Sequence, residues 1–271
     1  MKVLDLFSGI GGFSLGLERA GMKTVAFCEF EEHAQKILHK HWPHVPMYKD
    51  VKELTYERLC ADGINSIDVI TGGFPCQDLS SAGQRSGIYG SRSGLWGELF
   101  RIMCEVRPKY TIFENVAGLL TGESGRWFDR LLCDLAEGGF ILEWECIPAS
   151  SIGAPHHRDR VYGIAYPSEV GWLGIFSKAD LKVERNMGKH FGADWFGCGA
   201  GSWSDWQAKT RQEIFSQPLI ARKNDGFSGW MDRNSRLGNS IVPEIPERIG
   251  RAIMAVTYPM EGQNPCNSTK K

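Results

Sequence analysis

No stretch of this 271-residue chain is long and apolar enough to cross a bilayer. That makes a membrane-spanning role unexpected, and no membrane partner is anticipated. No signal peptide is expected either: Lys2 is followed by a strand-like run and then glycines, not a long apolar segment. Eight cysteines are present, yet no C-x-x-C pair and no Cys/His group at zinc spacing. This speaks against a structural zinc site and a disulfide framework, so no metal is expected. Scattered thiols suit a reducing cytoplasm. Charge of either sign is not in excess: 31 basic against 32 acidic residues give a formal net charge of -1. Bulk charge therefore argues neither for nor against a polyanionic partner, and only a local basic face could do so. What remains is ordinary globular composition, with 42% hydrophobic and 23% charged residues. The length allows one large domain or two smaller ones.

The most informative stretch is Gly72-Gly73-Phe74-Pro75-Cys76-Gln77-Asp78-Leu79-Ser80. It follows Ile67 to Thr71, a β-branched run that reads as a buried strand. Cys76 then falls just past a strand's carboxyl end, the edge where open α/β sheets bind ligands. On position alone, a nucleophile and a buried structural cysteine are about equally good readings. Polar, Gly- and Ser-rich sequence from Gln77 to Gly94 reads as a loop over a site.

Taken in order, the chain alternates strands and helices. Val3 to Phe7 is a strand of the buried parallel type, and it runs into Ser8-Gly9-Ile10-Gly11-Gly12. A helical stripe of Phe13, Leu15, Leu17 and Ala20 follows. Strand, glycine turn and helix can cradle a nucleotide-like ligand, but a lone glycine turn is weak evidence. The second strand, Thr24 to Cys28, ends in Glu29 and Phe30. Glu29 is placed to accept from two ribose hydroxyls; a charge at a helix start is the plainer alternative. Asp50-Val51 closes a third unit. Leu95 to Val106 is helical, and Lys109 to Phe113 is a strand ending in Glu114-Asn115-Val116. A helix from Trp127 to Leu135 and strands at Phe140 to Ile147 and Arg160 to Ala165 come next. Between those strands lies the basic spot His156-His157-Arg158-Asp159-Arg160. The glycine turn, Glu29, Cys76 and Glu114 all sit at strand ends. Such convergence is unexpected of independent structural residues.

The pattern is that of an α/β doubly wound fold. It changes after Pro167, where five tryptophans and a glycine-rich stretch appear with poor periodicity. Residues 167–236 read as a small irregular second domain, and residues 1–166 with 237–271 as the main one. Leu237 to Pro243, followed by an amphipathic helix from Glu244 to about Val256, reads as a return to the first domain.

These motifs, in this order, resemble the DNA cytosine-5 methyltransferases. The resemblance rests on Asp5 to Phe13, Glu29, Asp50-Val51, Gly73 to Gln77, Glu114 to Val116, Arg158-Asp159-Arg160 and Gly238-Asn239-Ser240. The short second domain and the Arg-Leu-Gly-Asn-Ser-Ile-Val-Pro ending look like the compact bacterial and phage members, which implies a bacterial cytoplasm. One departure is His156, where the family usually has Gln.

The resemblance implies a Rossmann-like S-adenosylmethionine-dependent methyltransferase sheet with helices on both faces. It implies base flipping, with Cys76 adding to carbon 6 of a cytosine and Glu114 serving ring nitrogen 3. Arg158 and Arg160 would orient the base, the Cys76 loop or a phosphate. Cofactor contacts would come from Phe7, Ser8, Gly9, Ile10, Gly11, Gly12, Glu29, Phe30, Asp50, Val51, Pro75, Asn239 and Ser240. Gln77, Ser80, Ser81, Arg85 and Arg92 would meet the DNA. The product would be S-adenosylhomocysteine, the partner double-stranded DNA and the working form a monomer. A companion restriction endonuclease is a further partner of this kind of protein.

The nearest alternative is a tRNA cytosine-5 methyltransferase, which uses the same motifs. A nicotinamide oxidoreductase would leave Cys76 and Glu114 without a role. A catalytically dead DNA-binding module would not need them intact.

Overall fold

The computed structural model describes residues 1–74, 94–152, 159–179, 181 and 241–259. The chain divides into two units, 1–181 with 240–271 and 182–239, and every described residue belongs to the first. Its strands are β1 (Lys2–Leu6), β2 (Lys23–Cys28), β3 (Met47–Tyr48), β4 (Val69–Gly72), β5 (Tyr110–Val116), β6 (Phe140–Pro148) and β7 (Asp159–Pro167). They form one sheet in the order β3-β2-β1-β4-β5-β7-β6. The first five are parallel neighbours, whereas β7 is antiparallel to both β5 and β6.

Successive side chains of a strand point to opposite faces, so a sheet covered on both sides needs apolar residues at nearly every position. That is what β1 supplies. Leu4 and Leu6 enter one core and Val3 the other. The first core takes its helical residues from α3 (Tyr56–Ala61), α4 (Leu95–Val106) and α5 (Arg126–Glu137). The second takes them from α1 (Gly12–Arg19), α6 (Ile175–Lys178) and α7 (Glu244–Thr257). The remaining helix, α2 (Glu32–His41), buries Ala34 and Leu38. The expected α/β architecture with helices on both faces is therefore present. Among the described residues no helix is long and apolar enough to cross a membrane.

α7 lies against α1. A β-carbon on Gly16 would come 2.2 Å from the Pro243 carbonyl, so only a glycine permits this approach. The expected return of the C-terminal helix to the first domain is thus realised by a backbone-to-backbone contact.

Two short elements, β3 and α3, were not anticipated. Two strand residues and six helix residues carry too little periodicity to be read. The boundary expected at Pro167 also needs correction. Residues 168–181 pack on the sheet unit: Ile175 is fully buried, and Glu143 of β6 accepts hydrogen bonds from Tyr166 Oη (2.6 Å), Gly174 N (2.8 Å) and Ile175 N (2.7 Å). A buried carboxylate whose acceptors are filled by these amides ties the segment to β6. The loss of periodicity after Pro167 marks the end of β7, not the end of the domain.

Candidate active site at the carboxyl edge of the sheet

Strand register places the candidate residues Phe7, Glu29 and Glu114 on one line. Cys28, Leu6 and Gly72 are paired across β2, β1 and β4; Tyr48 pairs with Cys28, and Phe113 with Gly72. One residue further along each strand lie Lys49, Glu29, Phe7, Gly73 and Glu114. The proposed cofactor and reaction residues thus leave the sheet side by side. Arg160 joins them because β7 is antiparallel: it begins where β5 ends, with Arg160 opposite Val116 and Tyr162 opposite Glu114.

The first half of this edge is the glycine turn. Phe7 adopts the left-handed region with φ 51°, a strained setting for an aromatic residue and one that often marks a functional turn. Ser8 turns inward: its hydroxyl donates to the Asp5 carbonyl (2.6 Å) and lies 3.3 Å from that of Cys28. It staples β1 to β2 and does not face a ligand by its side chain. Gly9 has φ +54°, and among the described residues a β-carbon there would meet nothing within 4 Å, so they leave room above the turn. The Gly11 amide donates to the Ser8 carbonyl at 2.8 Å and closes the turn into α1. A β-carbon on Gly12 would stand 2.6 Å from the Ile241 carbonyl, which sets the segment following Ser240 beside the turn.

Glu29 is buried, and its carboxylate is held by two backbone amides: Gly9 N to Oε2 at 2.7 Å and Glu31 N to Oε1 at 2.8 Å. Burial is the largest influence on its pKa and pushes it up, against those two hydrogen bonds. Phe30 is two-thirds exposed, with the Lys49 ammonium 5.9 Å from its ring centre. Asp50 lies just past β3, where Oδ1 accepts from Lys52 N at 2.9 Å; the adjoining Val51 is buried.

In the second half, Glu114 is buried and its Oε1 lies 2.9 Å from Arg160 Nε. A β-carbon on Gly73 would stand 3.6 Å from Glu114 Oε2, so the carboxylate faces the start of the Cys76 stretch. Asn115, buried, donates from Nδ2 to the Phe74 carbonyl at 3.2 Å and accepts from Val116 N at 2.8 Å. Pro75, Cys76, Gln77, Ser80, Ser81, Arg85, Arg92, Arg158, Asn239 and Ser240 lie outside the described residues.

Three residues were not singled out from sequence. Asn115 sits inside a recognised motif but was given no task. Asp5 is fully buried and joins three elements, its oxygens accepting from Ser14 Oγ of α1 and Thr71 Oγ1 of β4, both at 2.7 Å. Burial lifts its pKa to about 7, against the lowering effect of those hydroxyls. The available signal was a charged residue inside an apolar strand run. Arg101 of α4 is the third.

A Rossmann-like sheet with a glycine turn, an acidic residue after β2 and a carboxylate beside a Gly-Phe-Pro-Cys stretch defines an S-adenosylmethionine-dependent methyltransferase class. Within it the chain belongs to the C-5 cytosine-specific DNA methylases, whose family model matches residues 1–193. It is 36% identical over 198 residues to the type II methyltransferase M2.BsuMI of Bacillus subtilis, covering 70% of this chain and 49% of that protein. It is 35% identical over 201 residues to M.Eco47II of Escherichia coli, covering 71% and 47%. The chain thus spans about half the length of these relatives. Among solved structures, a prophage-encoded Escherichia coli protein described as a DNA modification methyltransferase matches 63% of this chain and 47% of its own (TM-score 0.55, 29% identity). The Schizosaccharomyces pombe Dnmt2 methyltransferase shares the fold over 95% of this chain and 99% of its own (TM-score 0.66), at 17% identity.

Proposed function

We propose that the chain transfers a methyl group from S-adenosylmethionine to carbon 5 of a flipped-out cytosine in duplex DNA. The observation that carries this is the Glu114 carboxylate, buried at the end of β5, paired with Arg160 and facing Gly73 at the head of the Gly-Phe-Pro-Cys stretch.

The cofactor fits the residues present. The space above Gly9 and the buried Glu29 carboxylate suit the sulfur-bearing chain and the ribose, and Asp50 at the adjacent strand end suits the adenine amine. When bound, S-adenosylmethionine supplies an electrophilic methyl group on a sulfonium. Both Glu29 oxygens already accept an amide, yet each keeps a lone pair for a ribose hydroxyl. Phe30 offers an exposed ring face to the purine.

The chain's own residues then act on the cytosine. Cys76, as thiolate, forms a bond to carbon 6, and the ring electrons move so that carbon 5 becomes nucleophilic. Charge that develops at ring nitrogen 3 is met by Glu114 in its protonated form. Arg160, beside Glu114, holds that carboxyl in place and counters its charge when ionised. Asn115 fixes the Phe74 carbonyl, two residues before Cys76, and so steadies the base of the nucleophile loop. Carbon 5 would take the methyl group as its bond to the donor sulfur breaks, leaving a neutral thioether. Transfer of the carbon 5 proton to water as base, departure of the Cys76 thiolate and return of any nitrogen 3 proton to Glu114 then restore the aromatic ring.

The type II relatives, from Bacillus subtilis and Escherichia coli, support a bacterial setting and a companion endonuclease; a cytoplasmic location and action as a monomer belong to the same proposal. The test is transfer of labelled methyl groups to duplex DNA and, separately, to total tRNA, with digestion of the product to nucleosides. Label in 5-methyldeoxycytidine alone supports the proposal; label in 5-methylcytidine from tRNA alone replaces it with the RNA reading.

A further inference from the structure

The geometry points to Arg101 as the positioning residue that sets Asp50 for the adenine amine. This rests on the reading of Asp50 given above. Arg101 lies on α4, the helix that begins directly after residues 75–93, and its guanidinium reaches across to the turn that follows β3. Nη2 donates to two carbonyls of that turn, Val51 at 3.0 Å and Leu54 at 2.8 Å. Nε donates to Glu98 Oε2 at 2.8 Å and Nη1 to Glu105 Oε1 at 2.6 Å, so two carboxylates of the same helix hold the fork in its orientation. Glu105 adds a second tie, since its Oε2 accepts from Tyr56 N at the start of α3 at 3.0 Å.

Val51 and Leu54 pack into the first core, but among the described residues few other hydrogen bonds fix the turn's backbone. Its internal bonds are Glu53 N to the Asp50 carbonyl at 3.1 Å and Leu54 N to the Val51 carbonyl at 3.3 Å, with Lys52 N on Asp50 Oδ1. The preceding strand, β3, is two residues long and, among the described residues, pairs only with β2. A carboxylate on such a turn needs an outside anchor to hold a hydrogen-bonding geometry, and misplacement by about 1 Å is enough to lose it. One planar guanidinium bonded to two carbonyls is such an anchor. A lysine ammonium could keep the charge pairing with Glu98 and Glu105 but cannot reproduce the fork. Arg101 therefore acts on the cofactor through Asp50, without touching it.

The test measures binding of S-adenosylhomocysteine to the full chain by calorimetry. It is compared with the analogue carrying hydrogen in place of the adenine 6-amino group. Arg101→Lys, which keeps the charge, is the main variant, and Arg101→Met the second; thermal unfolding is followed for both. Arg101→Lys is expected to weaken S-adenosylhomocysteine on the order of tenfold, to leave the analogue within about twofold, and to raise the KM for S-adenosylmethionine with kcat little changed. Asp50→Ala is expected to have the same selectivity, and adding Arg101→Lys to it should cost little more. Equal weakening of both ligands, or of neither, by Arg101→Lys would overturn the proposal while leaving Asp50's own role standing. If Asp50→Ala leaves S-adenosylhomocysteine binding unchanged, the reading of Asp50 fails and the positioning role falls with it.

Discussion

Glu29 has two backbone amides on its carboxylate before any ligand arrives, and the cost of burying it sets how it responds to acid. Its raised pKa, caused first by burial, means protonation begins at a higher pH than for an ordinary glutamate. Only the ionised form offers acceptors to both ribose hydroxyls. Cofactor affinity should therefore be constant at alkaline pH and weaken as pH falls through that raised value. Titration calorimetry with S-adenosylhomocysteine from about pH 8 to about pH 5 checks this, with Glu29→Gln expected to bind weakly and to show a flatter profile. Glu29→Ala should cost about 1.5–3 kcal/mol of binding; unchanged affinity would reduce Glu29 to a charge at the start of α2. Cys76→Ser makes a complementary case. A serine hydroxyl is a far weaker nucleophile at neutral pH, so methyl transfer should be lost while cofactor binding persists. Substantial turnover by that variant would remove Cys76 from the reaction.

At the scale of elements, Asp5 links β1, α1 and β4 through two hydroxyls, and its carboxyl titrates at about 7 in the folded chain against 3.8 ordinarily. Between those values the native state holds a proton that the unfolded chain releases. Stability is then fully present below about 3.8 and falls as pH rises toward 7. The slope for one proton approaches about 1.4 kcal/mol per pH unit. Asp5→Asn keeps the shape, and a neighbouring hydroxyl can turn to accept from the amide. Urea unfolding across this range should show a slope in the natural chain that the variant lacks in part; Glu29, also raised, supplies a remainder of the same sign. Identical slopes in the two proteins would exclude Asp5 as the source. Much of this layer was legible in sequence. The parallel strands read as continuous apolar runs, and α4 was bounded at Leu95 and Val106 as found. The antiparallel sense of β7 was not, because a buried strand's residue pattern is the same in either direction. Yet that sense is what brings Arg160 to Glu114. Nor could the order of residues show that Ser8 turns inward, since a hydroxyl in a glycine turn has backbone acceptors on both sides.

For the whole molecule, the question is where chemistry ends and sequence reading begins. Every described candidate for chemistry lies in the unit of residues 1–181 and 240–271. Base contacts specify and phosphate contacts position, and no proposed catalytic or cofactor role draws on the segment 182–236. We propose that its aromatic and basic residues, among them Lys189, Lys209, Arg211 and Arg222, make both kinds of contact. Exchanging residues 182–236 for the corresponding segment of a relative should then move the methylated site and leave the product 5-methyldeoxycytidine. The cut matters. A chimera joined at Pro167 discards the segment that fills Glu143's acceptors and buries Ile175. Leaving a buried carboxylate unpaired costs more than about 1–3 kcal/mol, so that chimera should unfold at lower temperature than one joined at 182. Bisulfite sequencing of DNA from cells expressing each chimera reads the target, and thermal unfolding reads the junction. An active chimera exchanged at 182–236 that keeps its original target would place specificity in the loop from Gln77 to Gly94 or elsewhere in the catalytic unit.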